Sequence, residues 1–197
     1  MAGMLAGMGR WQPDARGRLE KAAMELFRER GFDATTVAEI AERAGLTERT
    51  FFRHYADKRE VLFGGASILQ EMLVSGVRAA PAGLAPVAVI VGALEEVSDR
   101  LFEERGEFAR QRQAVIASNA ELQEREVVKL ATLAAAVAGA LRDRGVTEPA
   151  ASLAGEAGIA VFKVAFERWV SQPAAAAGSL AGYVRECAAG LKLVASG

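Results

Sequence analysis

One cysteine, one histidine, five prolines and two tyrosines in 197 residues leave little for several kinds of chemistry. Cys187 stands alone, so it closes no intrachain disulfide and builds no cysteine-based zinc site. This fits a reducing cytoplasm, and in apolar surroundings the thiol is expected to be a small buried hydrophobe. There is no HExxH, no CxxC, no phosphate-cradling glycine loop and no visible nucleophile–base pair. Neither an enzyme nor a protein carrying a metal or cofactor is expected. The net charge of −1 excludes binding nucleic acid by bulk charge, but not by a small local contact surface. No apolar stretch reaches the roughly 18 residues of a membrane span, so no membrane partner is expected. The run Val87–Leu94 reads instead as a buried helix segment. The N-terminal MAGMLAGMGRWQP lacks a positive leader region, and residues 1–9 read as a flexible tail.

What is present is helical. Hydrophobic residues make up 51% and charged residues 25%, enough for a packed core. Sustained alternation is missing, and Ala, Leu, Glu and Arg dominate. Leu19, Ala22, Ala23, Leu26 and Phe27 recur at the spacing of one buried helix face, and Gly31 ends that helix. Thr36 with Glu39 makes a capping box for the next helix. Asp57 with Glu60 resembles the same arrangement for a helix from about 58 to 77. Two prolines and a glycine then break the chain at 79–86. Further helices are expected at about 87–105, 107–118, 120–144, 149–171 and 179–194, with Pro149 in a first turn. The fold class is all-α, with about nine helices.

The segment from Thr36 to Lys58, TTVAEIAERAGLTERTFFRHYADK, carries the functional signal. Val37, Ile40 and Ala41 share one face of a short helix, and Gly45 sits where the chain must turn sharply. Thr47 is a good N-cap for a second short helix, whose apolar side is Leu46 and Phe51. Glu48, Arg49, Thr50 and Arg53 are left for its outer surface. A helix fits the major groove; Arg pairs with guanine, Glu accepts from cytosine, and Thr meets a phosphate or a thymine methyl. Arg49 and Arg53 are the expected base or phosphate contacts. Thr36, Thr47, His54 and Lys58 are expected at phosphates. Arg10, Arg16 and Arg18 could add to them from the first helix and the residues before it.

Such a helix pair also occurs inside ordinary bundles. The stretch ELFRERGFDATTV followed by AEIAERAGLTERTFFRHYADKREVL resembles, in order and spacing over residues 16–63, the DNA-binding domain of TetR-family transcriptional regulators. Where the family usually has a tyrosine, this chain has Phe52, which keeps the ring but loses a phosphate hydrogen bond worth roughly 0.5–1.5 kcal/mol. His54 falls where histidine is frequent. Residues 10–63 hold 11 basic and 10 acidic side chains, so this reading head is nearly neutral.

The resemblance implies a helix-turn-helix domain at 10–56 and a C-terminal ligand-binding and dimerisation domain at 57–197. It implies a cytoplasmic homodimer on a double-stranded DNA operator, acting as a repressor. Ala157, Val161, Val164, Leu180, Val184, Ala188 and Leu191 are the expected dimer contacts. Met72, Leu94, Phe102, Phe108, Arg112, Ile116, Phe162, Phe166 and Trp169 are pocket candidates, although most would be core in any reading. Their apolar bias suggests an apolar or amphipathic effector. The segments SNAELQERE and ERWV resemble a subset with acyl-type ligands, where Arg112 or Arg125 could pair an acidic head group, although surface salt bridges are their more usual use. Gly64 and Gly65, adjacent inside the helix expected at 58–77, would soften it by roughly 1 kcal/mol each. The rival reading is a helical carrier of apolar ligands.

Overall fold

The structure is a computed structural model that describes residues 14–173 and 178–195. The expected tail at 1–9, Arg10 and the Ala-rich 174–177 lie outside those residues. Among the described residues there are ten helical segments and no strand. They are α1 (Ala15–Arg30), α2 (Val37–Arg43), α3 (Glu48–His54), α4 (Glu60–Phe63), α5 (Ala66–Ala79), α6 (Pro86–Phe102), α7 (Gly106–Ala117), α8 (Ala120–Asp143), α9 (Ala150–Ser171) and α10 (Leu180–Ala195). The chain divides between Leu62 and Phe63 into two compact units.

In the N-terminal unit α1 packs on α2 and α3 through Leu19, Ala23, Leu26, Ile40 and Phe51, all essentially fully buried. The capping box forms as expected: the Glu39 amide donates to Thr36 Oγ1 at 3.2 Å, and the Thr36 amide donates to Glu39 Oε2 at 2.9 Å. Gly45 has φ of +64°. Leu46 N–H donates to Ala41 O and Gly45 N–H to Glu42 O, both at 2.8 Å, which is the double bond of a Schellman stop. The turn between the two short helices is therefore made by hydrogen bonds that need a left-handed residue at 45.

The C-terminal unit is a bundle in which α9 packs on α8 and α10, α5 packs on α6 and α8, and α6 packs on α10. Val89, Ile90, Ala93 and Leu94, from the apolar run, are buried as expected. Gly158 permits the closest approach: a Cβ there would stand 2.5 Å from Ile90 Cγ2. Two expectations change. The helix expected at 58–77 is interrupted at Gly64–Gly65, giving α4 and α5. Cys187 is only half-buried, with its sulfur 3.7 Å from an Arg168 nitrogen. Taken as one run, Glu60–Ala79 is long and apolar enough by composition to cross a membrane. Within the C-terminal unit, however, Leu73 and Val77 of this run are core residues, fully buried against the bundle.

Candidate nucleic-acid interface

The charges of the N-terminal unit are mostly engaged. Between residues 14 and 62 there are ten Lys and Arg residues, and six hold other parts of the unit. Arg16 pairs with Glu20, Arg30 with Glu39, Arg43 with Glu25 and Glu29, and Arg59 with Asp57. Arg18 donates to the carbonyls of Ala44 and Gly45, clamping α1 to the turn. Lys58 donates to the carbonyls of Phe32, Asp33 and Thr35 at 2.8, 3.2 and 2.9 Å, with its ammonium 4.4 Å from the centre of the Phe32 ring. Its three N–H donors are thereby used, and none is left for the phosphate expected there. Arg18, a further candidate for a phosphate, directs one guanidinium nitrogen at the turn instead.

Thr36 is also committed. Its hydroxyl accepts from the Glu39 amide and donates to the Glu39 carboxylate at 2.9 Å, so its proton is not available to a phosphate. That carboxylate is held below its ordinary range by the Thr36 amide and hydroxyl and by Arg30. Tyr55, at the end of α3, donates to Glu20 at 3.0 Å, and burial followed by the nearby Glu20 charge raises its pKa.

The outer face of α3 is different. Glu48, Arg49, Phe52, Arg53 and His54 are all exposed. Arg49 and Arg53 make no hydrogen bond or ion pair to a described residue. They lie four residues apart on a helix, so both guanidinium groups project from one face. Thr47 caps the helix by accepting from the Thr50 amide at 3.2 Å, and the two hydroxyls lie 3.0 Å apart. One hydroxyl proton of that pair remains for an outside acceptor. The structure thus brings Thr47, Glu48, Arg49, Phe52, Arg53 and His54 together on or beside one short helix, with Thr50 half-buried beneath. It assigns Thr36 and Lys58 to the scaffold.

In the C-terminal unit, Phe102, Phe162, Phe166 and Trp169 form one aromatic cluster with ring centroids 5.8 to 6.3 Å apart. Met72 and Leu94 belong to the same core. Ile116 is buried outside that core, and Phe108 is half-buried under Arg105, whose guanidinium is 4.9 Å from its ring centre. Arg112 pairs with Glu126 at 3.1 Å, only 19% exposed, and lies over the Phe63 ring at 5.1 Å. Burial lowers its pKa and Glu126 opposes that shift. An internal partner therefore already neutralises Arg112, one of the two arginines expected to meet an acidic head group. A shallow depression of about 490 Å3, lined by Glu71, Val74, Ser75, Arg78 and Ala79, contains none of the pocket candidates. Reading apolar residues missed Ser98, which is 2% exposed beside this core and whose hydroxyl has no hydrogen-bond partner among the described residues.

The expected dimer residues also separate. Val161, Leu180, Val184 and Ala188 are buried within their own chain, because α9 and α10 turn those faces toward the bundle. Ala157 and Leu191 are half-buried, while Val164 is 47% exposed. The outward stripe of α9 is Leu153, Ala157, Ala160 and Val164, at spacings of four, three and four.

A capped helix-turn-helix with two unengaged arginines on its second helix, followed by an apolar helical bundle, defines a DNA-binding regulator. Residues 19–63 match the family model described as bacterial regulatory proteins, tetR family, and residues 84–192 match the MftR C-terminal domain. The second match covers more than half of the chain, and the chain belongs to the TetR family of transcriptional regulators, which are not enzymes. It is 38% identical over 86 residues to the transcriptional regulator TcmR of Streptomyces glaucescens, covering 44% of this chain and 38% of that protein. It is 39% identical over 67 residues to the transcriptional activator FasR of Mycolicibacterium smegmatis, covering 34% and 31%. The matches therefore span only 38% and 31% of these two relatives. The crystal structure of the Thermus thermophilus TetR-family repressor FadR with lauroyl-CoA superposes with a TM-score of 0.52 at 25% identity, over 87% of this chain and 90% of that one.

Proposed function

We propose that this protein is a homodimeric, cytoplasmic repressor that binds a pseudo-palindromic DNA operator through α3 and is released by an apolar or amphipathic effector. The observation that carries the DNA reading is the pair Arg49 and Arg53, unengaged on one exposed face while six other cations of the same unit are tied down. Thr47, Glu48, Arg49, Phe52, Arg53 and His54 are the contact residues of this reading.

Repression and an acyl-type effector draw support from FadR, a repressor crystallised with lauroyl-CoA. The aromatic cluster in the core supplies apolar side chains against which such a molecule would pack. Dimerisation is assigned to the stripe Leu153, Ala157, Ala160 and Val164, whose two alanines allow a second helix to approach closely. A two-fold dimer would present its recognition helices about 34–36 Å apart, or at a helically phased multiple. The reading head is assigned to 10–56 and the effector and dimer domain to 57–197, with the break at Gly64–Gly65 as the joint between their motions.

Selection of bound DNA from a random pool tests this directly. The expected product is a two-fold repeated half-site, from which lauroyl-CoA displaces the protein. Failure to enrich any sequence favours the carrier reading. The Gly64→Ala/Gly65→Ala double variant is expected to bind the same DNA and to respond more weakly to the effector; an unchanged response removes the joint.

A further inference from the structure

The recognition helix carries one large apolar side chain in the open. Phe52 is 55% exposed, three residues after Arg49 and next to Arg53, so it stands among the two unengaged guanidinium groups. It is also seated. Its ring meets that of Phe51 edge to face, with centroids 5.5 Å apart and planes at 82°. Phe51 is fully buried. The outward phenyl therefore rests on the core of the unit.

A phenyl ring neither donates nor accepts an ordinary hydrogen bond, so Phe52 cannot read an amide, carbonyl or phosphate edge. The apolar group that base pairs present in the major groove is the C5 methyl of thymine. The methyl-bearing threonines nearby compete poorly, because Thr47 and Thr50 are held to each other through their hydroxyls and Thr50 is half-buried. We propose that Phe52 is a specificity-determining residue that packs on the C5 methyl of one thymine in each half-site. This rests on the DNA-binding reading above.

Deoxyuridine tests it, because it removes that methyl and leaves the pairing edge unchanged. Each thymine of the selected operator is replaced singly, and binding is measured with the full chain. One thymine per half-site is expected to matter, with a loss of about four-fold in wild-type affinity, the size expected for one buried methyl. Phe52→Ala is expected to bind the thymine and uracil forms equally, and Phe52→Leu to keep part of the discrimination. Because Phe52→Ala also gives up the edge-to-face contact with Phe51, binding is measured at a temperature where both variants are folded, and Phe52→Leu should melt close to the wild type. If no thymine is sensitive, or if Phe52→Ala still prefers thymine, the assignment is wrong. Selection that yields no operator at all overturns the DNA-binding reading together with it, whereas an operator indifferent to uracil overturns only the role of Phe52.

Discussion

Replacing Lys58 by methionine keeps the aliphatic stem and removes only the ammonium. That ammonium bonds three carbonyls of the loop between α1 and α2 and lies over the Phe32 ring. Hydrogen bonds to a charged group contribute about 1.5–3 kcal/mol each in favourable cases. The bond to Asp33 is exposed and water can replace it; those to Phe32 and Thr35 are partly buried. Allowing for solvent, their loss costs about 2–3 kcal/mol, and the cation–π contact adds about 0.5–1 kcal/mol. At roughly 2–4 °C per kcal/mol for a chain of this size, the melting temperature should fall by about 10 °C. Operator affinity measured against salt, at a temperature where the variant is folded, should keep its slope. A phosphate contact behaves oppositely: melting would be unchanged and the salt slope would drop by about 0.9 per lost contact. That result would refute Lys58 as a clamp.

Gly45→Ala forces a Cβ onto a φ of +64° and within 2.9 Å of Arg18 Nη2, so a cost of about 1–2 kcal/mol in stability is expected by thermal melting. Gly158→Ala drives a methyl against Ile90 and should lose about 1–3 kcal/mol by denaturant titration; a neutral result would mean that α6 and α9 separate easily. The Glu39 carboxylate, held by the Thr36 amide, and the Asp57 carboxylate, held by the Arg59 side chain, lie below their ordinary values of 4.5 and 3.8. A carboxylate lowered by folding stabilises above its unfolded pKa and loses that contribution as pH falls through the folded one. Melting temperature should therefore hold down to about pH 5 and then decline; Glu39→Gln and Asp57→Asn should flatten the decline, and a rise on acidification would contradict the assignment.

The reading head was legible because its determinants are local. A capping threonine three residues before its glutamate and a glycine at the stop each declare themselves within one turn of chain. The arginines divided less predictably. Nothing near Arg18 in sequence announces that it clamps carbonyls at 44 and 45, or that Lys58 closes a loop 23 to 26 residues back. Only the fold separates a cation that holds the scaffold from one left outward, as at Arg49. The larger domain was legible as helices and much less as faces. Val161 and Val164 lie three residues apart on α9, yet one is core and the other outward. Periodicity identifies an apolar stripe without saying which neighbour covers it. The Gly64–Gly65 pair was visible as two poor helix formers, which weaken a helix without saying whether it will soften or stop there.

If Arg49 and Arg53 read DNA and hold nothing else, their removal separates binding from stability. The most direct test measures operator affinity and melting temperature on the same preparations of wild type, Arg49→Ala and Arg53→Ala. The expected result is a loss of about 1–3 kcal/mol in binding for an arginine that meets a base, with melting unchanged. Binding that survives both substitutions, or a binding loss that comes only with a lowered melting temperature, would contradict that role.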